Sequence, residues 1–150
     1  DAILRYDKKE VLMNSLVEYL NSAETVVLDG AMGTMLMAAG LPSGGAPEEW
    51  NVSNPEPIRA VHRDYIAAGS RIILTNSFGG SRPRLEMEKS GDRTHEINVA
   101  AARLAREVAG DEVLVLGSIG PTGALMEPMG ELTYEKAVEY PGLGRASGKS

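Results

Sequence analysis

Residues 56–80 read EPIRAVHRDYIAAGSRIILTNSFGG, and they set out one complete structural sentence. Ile58, Val61, Tyr65 and Ile66 recur at helical spacing over Glu56 to Ala68. Gly69 follows where a helix C-terminus needs a left-handed residue, and Asn54-Pro55 marks the start. Arg71 to Thr75 is then a short, nearly unbroken apolar run, the pattern of a parallel strand covered on both faces rather than the alternation of a half-solvated one. It empties into a polar, glycine-containing turn, Asn76-Ser77-Phe78-Gly79-Gly80.

The same unit recurs on either side. Thr25 to Leu28 and Val113 to Leu116 read as further buried strands, and Asp92 to Ala109 carries a second apolar stripe (Ile97, Ala101, Leu104, Ala105, Val108) closed by Gly110. Lys8 to Asn21 has helical spacing ahead of the first strand, and Leu132 to Tyr140 begins an amphipathic helix that Pro141-Gly142 breaks. Strand starts at 25, 71 and 113 are separated by 46 and 42 residues. The expected class is α/β: about three βα units, the N-terminal portion of a (β/α)8 barrel. Eight such units need roughly 350 residues, so the chain is expected to be a fragment. The expected division is a helix over 1–21, barrel over 22–140 and a tail over 141–150.

The composition narrows the function classes. The chain has 150 residues with 15 Lys+Arg against 21 Asp+Glu, a formal charge of −6, which argues against a nucleic-acid surface. At 43% hydrophobic and 24% charged residues it has the make-up of a folded domain. No apolar run approaches the roughly 18 residues that cross a bilayer, and the first residues lack a signal-peptide pattern, so a cytoplasmic location is expected. There is no cysteine, which removes disulfides, thiol nucleophiles and thiolate metal sites made by this chain. HExxH, a nucleophile elbow and GxGxxG are absent. The terminal Gly148-Lys149-Ser150 lacks the upstream glycine of a phosphate loop, since Leu143 stands there.

Three turns follow the three strands: Asp29-Gly30-Ala31-Met32-Gly33-Thr34, the turn after Thr75, and Gly117-Ser118-Ile119-Gly120-Pro121-Thr122-Gly123. Strand carboxyl ends are where ligands bind in parallel α/β folds. Asp29 is either a helix N-cap or a carboxylate facing a ligand ammonium. The amides from Gly30 onward suit a small carboxylate, and together these groups would hold an α-amino acid. Thr75 and Asn76 can orient a polar substrate, although turn-forming hydrogen bonds are the plainer reading. Phe78 walls a pocket or plugs the rim. The methionines at 32, 35, 37, 126 and 129 read as packing, and His62 and His95 as solvated helix positions. Competing readings are a non-catalytic α/β domain that binds an amino acid or carboxylate at the rim, and an open-sheet enzyme that binds nucleotide.

LDGAMGT (28–34), APEEWN (46–51), HRDYIAAGSRIILTNSFGG (62–80), EINVAAARLAREVAG (96–110), GSIGPTG (117–123) and EPMGELTYEKAVE (127–139) together resemble the homocysteine S-methyltransferase family in order and spacing. The resemblance covers about residues 22 to 140. It implies a (β/α)8 barrel that transfers a methyl group, from betaine or another onium or folate donor, to homocysteine to give methionine. It implies that Asp29 meets the ammonium, the Gly30, Ala31 and Met32 backbone meets the carboxylate, and Thr75, Asn76, Ser77, Phe78 and Ser118 line the pocket. It also implies Zn²⁺ held by three cysteines on later strands, and either a homo-oligomer or a corrinoid or folate domain as partner. With no cysteine here, this chain is expected to hold neither the metal nor a catalytic residue, and to be inactive alone.

Overall fold

A computed structural model describes residues 16–22 and 25–139. Of the expected helix over 8–21, residues 16–21 are helical (α1), while 8–15, the expected break at Pro141-Gly142 and the tail lie outside the described residues. Along the chain follow α2 (Met32–Ala38), a 3-10 turn (Pro47–Glu49), α3 (Trp50–Ser53), α4 (Pro55–Ala67), β1 (Ile72–Leu74), α5 (Arg82–Met87), a 3-10 turn (Gly91–Arg93), α6 (Thr94–Ala109), β2 (Leu114–Leu116) and α7 (Tyr134–Glu139).

The two longest helices end as the sequence dictates. In α4 the Gly69 N–H donates to the Ile66 carbonyl and the Ser70 N–H to the Tyr65 carbonyl, with Gly69 at φ +106°. That is a Schellman closure, which satisfies carbonyls the helix leaves open and needs a residue without Cβ. Gly110 closes α6, also at positive φ. On α6 the buried Ala101, Ala105 and Ala109 stack at four-residue spacing, and small side chains there let the helix approach the sheet closely.

β1 and β2 pair in parallel, Ile72 opposite Leu114 and Leu74 opposite Leu116. On the other side of β1, Leu28 forms a parallel bridge to Ile72, flanked by the Arg71 N–H to the Val27 carbonyl and the Asp29 N–H to the Ile72 carbonyl. β1 is therefore central. Ile73 is fully buried with Ala105, Ala109 and Val113, while Leu36, Leu41, Ile58, Val61 and Leu104 form a second cluster with Trp50 and Tyr65 at its margin.

Three expectations need correction. The 25–28 segment makes one bridge rather than a strand, and Val27 and Leu28 stand about half exposed, because an outer segment has a neighbour on one side only. α7 forms within the stretch expected to be helical and leaves Tyr134 and Val138 exposed. Met35, Met37, Met126 and Met129 are exposed, and of the five methionines only Met32 packs against a core cluster. His62 is not on a solvated face: it is fully buried beside Ile58 and Val61 on α4, and neither ring nitrogen has a partner among the described residues. His95 is exposed, as expected.

Between α3 and the turn after β1, two asparagines interlock. Asn51 Nδ2 donates to the Asn76 carbonyl at 2.8 Å, and Asn76 Nδ2 donates to Asn51 Oδ1 at 2.9 Å and to the Pro47 carbonyl at 2.8 Å. Both are buried; removing the Asn76 side chain deprives Asn51 Oδ1 of its donor, and removing the Asn51 side chain deprives the Asn76 carbonyl of its side-chain donor and leaves Asn76 Nδ2 with the Pro47 carbonyl alone.

Two tests follow from this packing. N51A or N76A is expected to cost about 1–3 kcal/mol in urea unfolding, and the double variant less than the sum; strict additivity would show that the pair does not interact. Burial holds His62 down at about 4, so the folded protein binds fewer protons than the unfolded chain below the ordinary histidine value. Stability contributed by the neutral ring is present above about 6.5 and is lost as pH falls toward 4, on the order of 3 kcal/mol. H62L is expected to lack this component in urea unfolding at pH 7 and 4.5; parallel losses in both proteins would refute it.

Candidate functional site

The three strand-end turns meet at a cleft of about 310 Å³. Asp29, Gly30, Met32 and Gly33 line it from the first turn, Thr75, Asn76, Ser77 and Phe78 from the second, and Ser118 from the third, with Leu74, Pro47 and Glu48 completing the wall. Parallel pairing about β1 accounts for the convergence, since it brings the carboxyl ends to one rim. Ala31 does not line the cleft; its carbonyl accepts the Tyr65 hydroxyl at 3.1 Å. The Tyr65 ring lies against Gly30, where an added Cβ would sit 2.9 Å from the phenolic oxygen. The backbone after Asp29 can therefore hug the helix only because residue 30 is glycine.

Most rim donors are already committed. The Ser118 N–H donates to Thr75 Oγ1 at 3.0 Å and Ser77 Oγ donates to the Ser118 carbonyl at 2.8 Å. Thr75 Oγ1 and Ser77 Oγ lie 2.6 Å apart. With the Ser77 proton spent on Ser118, the Thr75 hydroxyl must donate to Ser77. The three residues thus close a ring of hydrogen bonds that ties the second turn to the third. Asn76 likewise spends both amide protons on Pro47 and Asn51. Thr75 and Asn76 are thus structural, but their bonds reach distant segments rather than closing an Asx or Ser/Thr turn, and both residues still border the cleft.

Asp29 differs. It does not cap α2, whose N-cap is Ala31 with no side-chain bond. One oxygen, Oδ2, accepts the Leu74 N–H at 2.9 Å, whereas Oδ1 is shut off from solvent without a partner among the described residues. Burial raises the carboxyl above the ordinary aspartate value, and the Leu74 and Asp29 amides pull the other way. Such a group is incomplete without a positively charged or hydrogen-bond-donating visitor.

Phe78 is 61% exposed at the cleft margin, and its backbone is fixed by the Gly120 N–H, which donates to the Phe78 carbonyl at 2.9 Å. It therefore walls the cleft from outside rather than plugging a rim. Glu48, Tyr65 and Asn51 shape the site without having been singled out from sequence. Glu48 stood in view within APEEWN, but no periodicity distinguishes a buried glutamate in a 3-10 turn from a solvated one. Among the described residues no three His, Cys, Asp or Glu side chains gather to hold a metal ion, and the sequence has no cysteine. These residues do not fit the zinc site implied by the resemblance. No helix among them is long and apolar enough to cross a membrane.

The profile of the homocysteine S-methyltransferase family matches residues 26–141. Methionine synthase from Mycobacterium tuberculosis is 34% identical over 126 residues, covering 75% of this chain and 10% of that protein. Betaine–homocysteine S-methyltransferase 1 from Sus scrofa is 33% identical over 139 residues, covering 87% of this chain and 48% of that protein. The metallated crystal structure of the homocysteine methyltransferase MmuM from Escherichia coli superposes with a TM-score of 0.60 at 28% identity, over 75% of this chain and 42% of that one. The chain thus spans about half or less of each of these proteins. With that profile running across all three strand ends and the cleft between them, the chain belongs to the homocysteine S-methyltransferase family.

Proposed function

We propose that this chain supplies the amino-acid-holding part of a homocysteine S-methyltransferase, which moves a methyl group from a donor such as betaine to the homocysteine sulfur and yields methionine. The observation that carries the reading is Asp29: a cleft-lining carboxylate at a strand end, one oxygen held by the Leu74 amide and the other buried and unpartnered among the described residues. An α-ammonium supplies both the charge and the protons that this oxygen lacks. The backbone of Gly30, Ala31 and Met32 is assigned to the substrate carboxylate, and the apolar wall of Leu74 and Phe78 to the sulfur-bearing side chain. Thr75, Asn76, Ser77 and Ser118 act chiefly by keeping that wall rigid, which is how a binding site contributes to rate through orientation.

A free thiol with a pKa of about 8.5 is mostly protonated at neutral pH and must lose its proton before its sulfur attacks a methyl carbon. Among the described residues no three His, Cys, Asp or Glu side chains gather to hold a metal ion that would lower this value, and the share of the reaction proposed for this chain is recognition, orientation and exclusion of water. The proposed donor class is supported by the breadth of the match to relatives named for betaine.

D29N, made in the full-length protein that carries this chain, is expected to weaken homocysteine binding about 10- to 150-fold in calorimetry, corresponding to about 1.5–3 kcal/mol for a charge-assisted hydrogen bond. In the unsubstituted protein, binding is expected to fall as acidification protonates Asp29, whose value lies above that of ordinary aspartate, and D29N should lose this pH dependence. Equal affinity in the two proteins would sink the assignment. Homocysteine binding without methionine formation from betaine would favour a binding role at the same rim.

A further inference from the structure

We propose that Glu48 is a positioning residue of this cleft: by accepting the Gly79 N–H it fixes the Ser77–Gly80 turn, so that Phe78 walls the end that takes the substrate side chain. The identity of that substrate rests on the homocysteine reading; the positioning itself does not.

Glu48 is 7% exposed although it carries an ionisable carboxyl. Its partner among the described residues is an amide rather than a cation, since the Gly79 N–H donates to Oε1 at 2.7 Å. The carboxyl group lies flat against Gly79: a Cβ built there would stand 2.9 Å from Oε1 and 3.1 Å from Oε2. Gly79 is thus the residue that permits the approach, and the carboxylate is what holds it.

The same turn is gripped at two further points. Asn98 Nδ2 on α6 donates to the Gly80 carbonyl at 2.7 Å, and the Gly120 N–H donates to the Phe78 carbonyl at 2.9 Å. A Cβ on Gly120 would lie 2.4 Å from that carbonyl oxygen and 2.8 Å from the Phe78 ring. The turn is pinned from the helix side, from the third strand end and, through Glu48, from the 3-10 turn across the cleft. Asn98 and Gly120 bind the carbonyls flanking Gly79, leaving its N–H to Glu48. Without that acceptor the peptide joining Phe78 to Gly79 is anchored through its carbonyl alone, by Gly120, so it can tilt about that one bond and carry the exposed ring with it. A charged acceptor makes this a stronger bond than a neutral one, although a glutamine carbonyl can still accept the same proton.

Phe78 is the only phenylalanine in the 150-residue chain, so biosynthetic ¹⁹F-phenylalanine gives one resonance that reports on the wall. In the labelled chain, E48A is expected to shift and broaden that resonance, and E48Q to restore it. In calorimetry E48A should weaken homocysteine about tenfold while changing alanine, which shares the amino-acid end and lacks the sulfur arm, by less than about twofold. E48Q should lie within about threefold of the parent for both ligands. An unmoved Phe78 resonance in E48A, equal losses for the two amino acids, or E48Q as impaired as E48A would each overturn the proposal. If E48A does not fold, hydrogen exchange at the Gly79 amide decides: protection retained in the parent and E48Q supports the bond, and a freely exchanging amide in the parent refutes it. If the parent binds neither amino acid, the homocysteine reading fails, and the Phe78 resonance still judges the role of Glu48.

Discussion

β1 is hydrogen-bonded on both sides, and the cleft depends on that constraint. The Asp29 N–H reaches the Ile72 carbonyl on one flank and the Thr75 N–H reaches the Leu116 carbonyl on the other. Because the neighbours run parallel, the three chain segments leave the sheet in the same direction, and their turns collect at one rim. Asp29 then turns its side chain back onto the strand beside it through the Leu74 amide. A one-residue slip of that register would send Asp29 to the opposite face of the sheet and dissolve the site, while the burial of Ile72 and Ile73 resists such a slip.

Around this rim the satisfied and unsatisfied polar groups divide by purpose. The closed ring of Thr75, Ser77 and Ser118 and the interlocked Asn51 and Asn76 consume their own donors, so they stiffen the wall with little left over for a ligand. Asp29 keeps one oxygen buried and unpaired among the described residues, at a standing cost of roughly 1–3 kcal/mol that the ammonium proposed above would remove. His62 also carries unpaired buried nitrogens, yet it sits on α4 away from the cleft lining, and a neutral ring bears the cost more lightly than a carboxylate. Absence of a partner alone does not mark a ligand site. The assignment proposed for Asp29 rests on the combination of charge, strand-end position and cleft.

The sequence exposed those features that follow from local chemistry. The apolar stripes of α4 and α6, the glycines that stop them and the apolar runs of β1 and β2 appear within a residue or two of their expected places. Eight of the nine residues named for the amino-acid site line one cleft, and Ala31 does not. Failures arose where a residue's surroundings are made by distant segments. His62 stands four residues from Ile58 and next to Val61, inside the apolar stripe, but the polarity of an imidazole outweighed its position. The exposed methionines erred the other way, since apolar character does not reveal whether another element covers the side chain. Glu48 gave no signal, because its meaning comes from Gly79, 31 residues away.

Recognition of the amino-acid end and activation of the thiol make different demands on a protein. The first needs a fixed carboxylate, free amides and a rigid wall, all of which three adjacent strand ends can provide. The second needs a group able to withdraw a thiol proton near neutrality, and among the described residues no three His, Cys, Asp or Glu side chains gather to hold a metal ion that would do so. The side chains proposed here for the first task fall in one stretch, from Asp29 to Ser118, whose parts are locked together by side-chain bonds across the rim. Rigidity there has a direct chemical use: a substrate held by its ammonium and walled along its side chain has few ways to place its sulfur, so the entropy of aligning it is largely lost on binding rather than at the transition state.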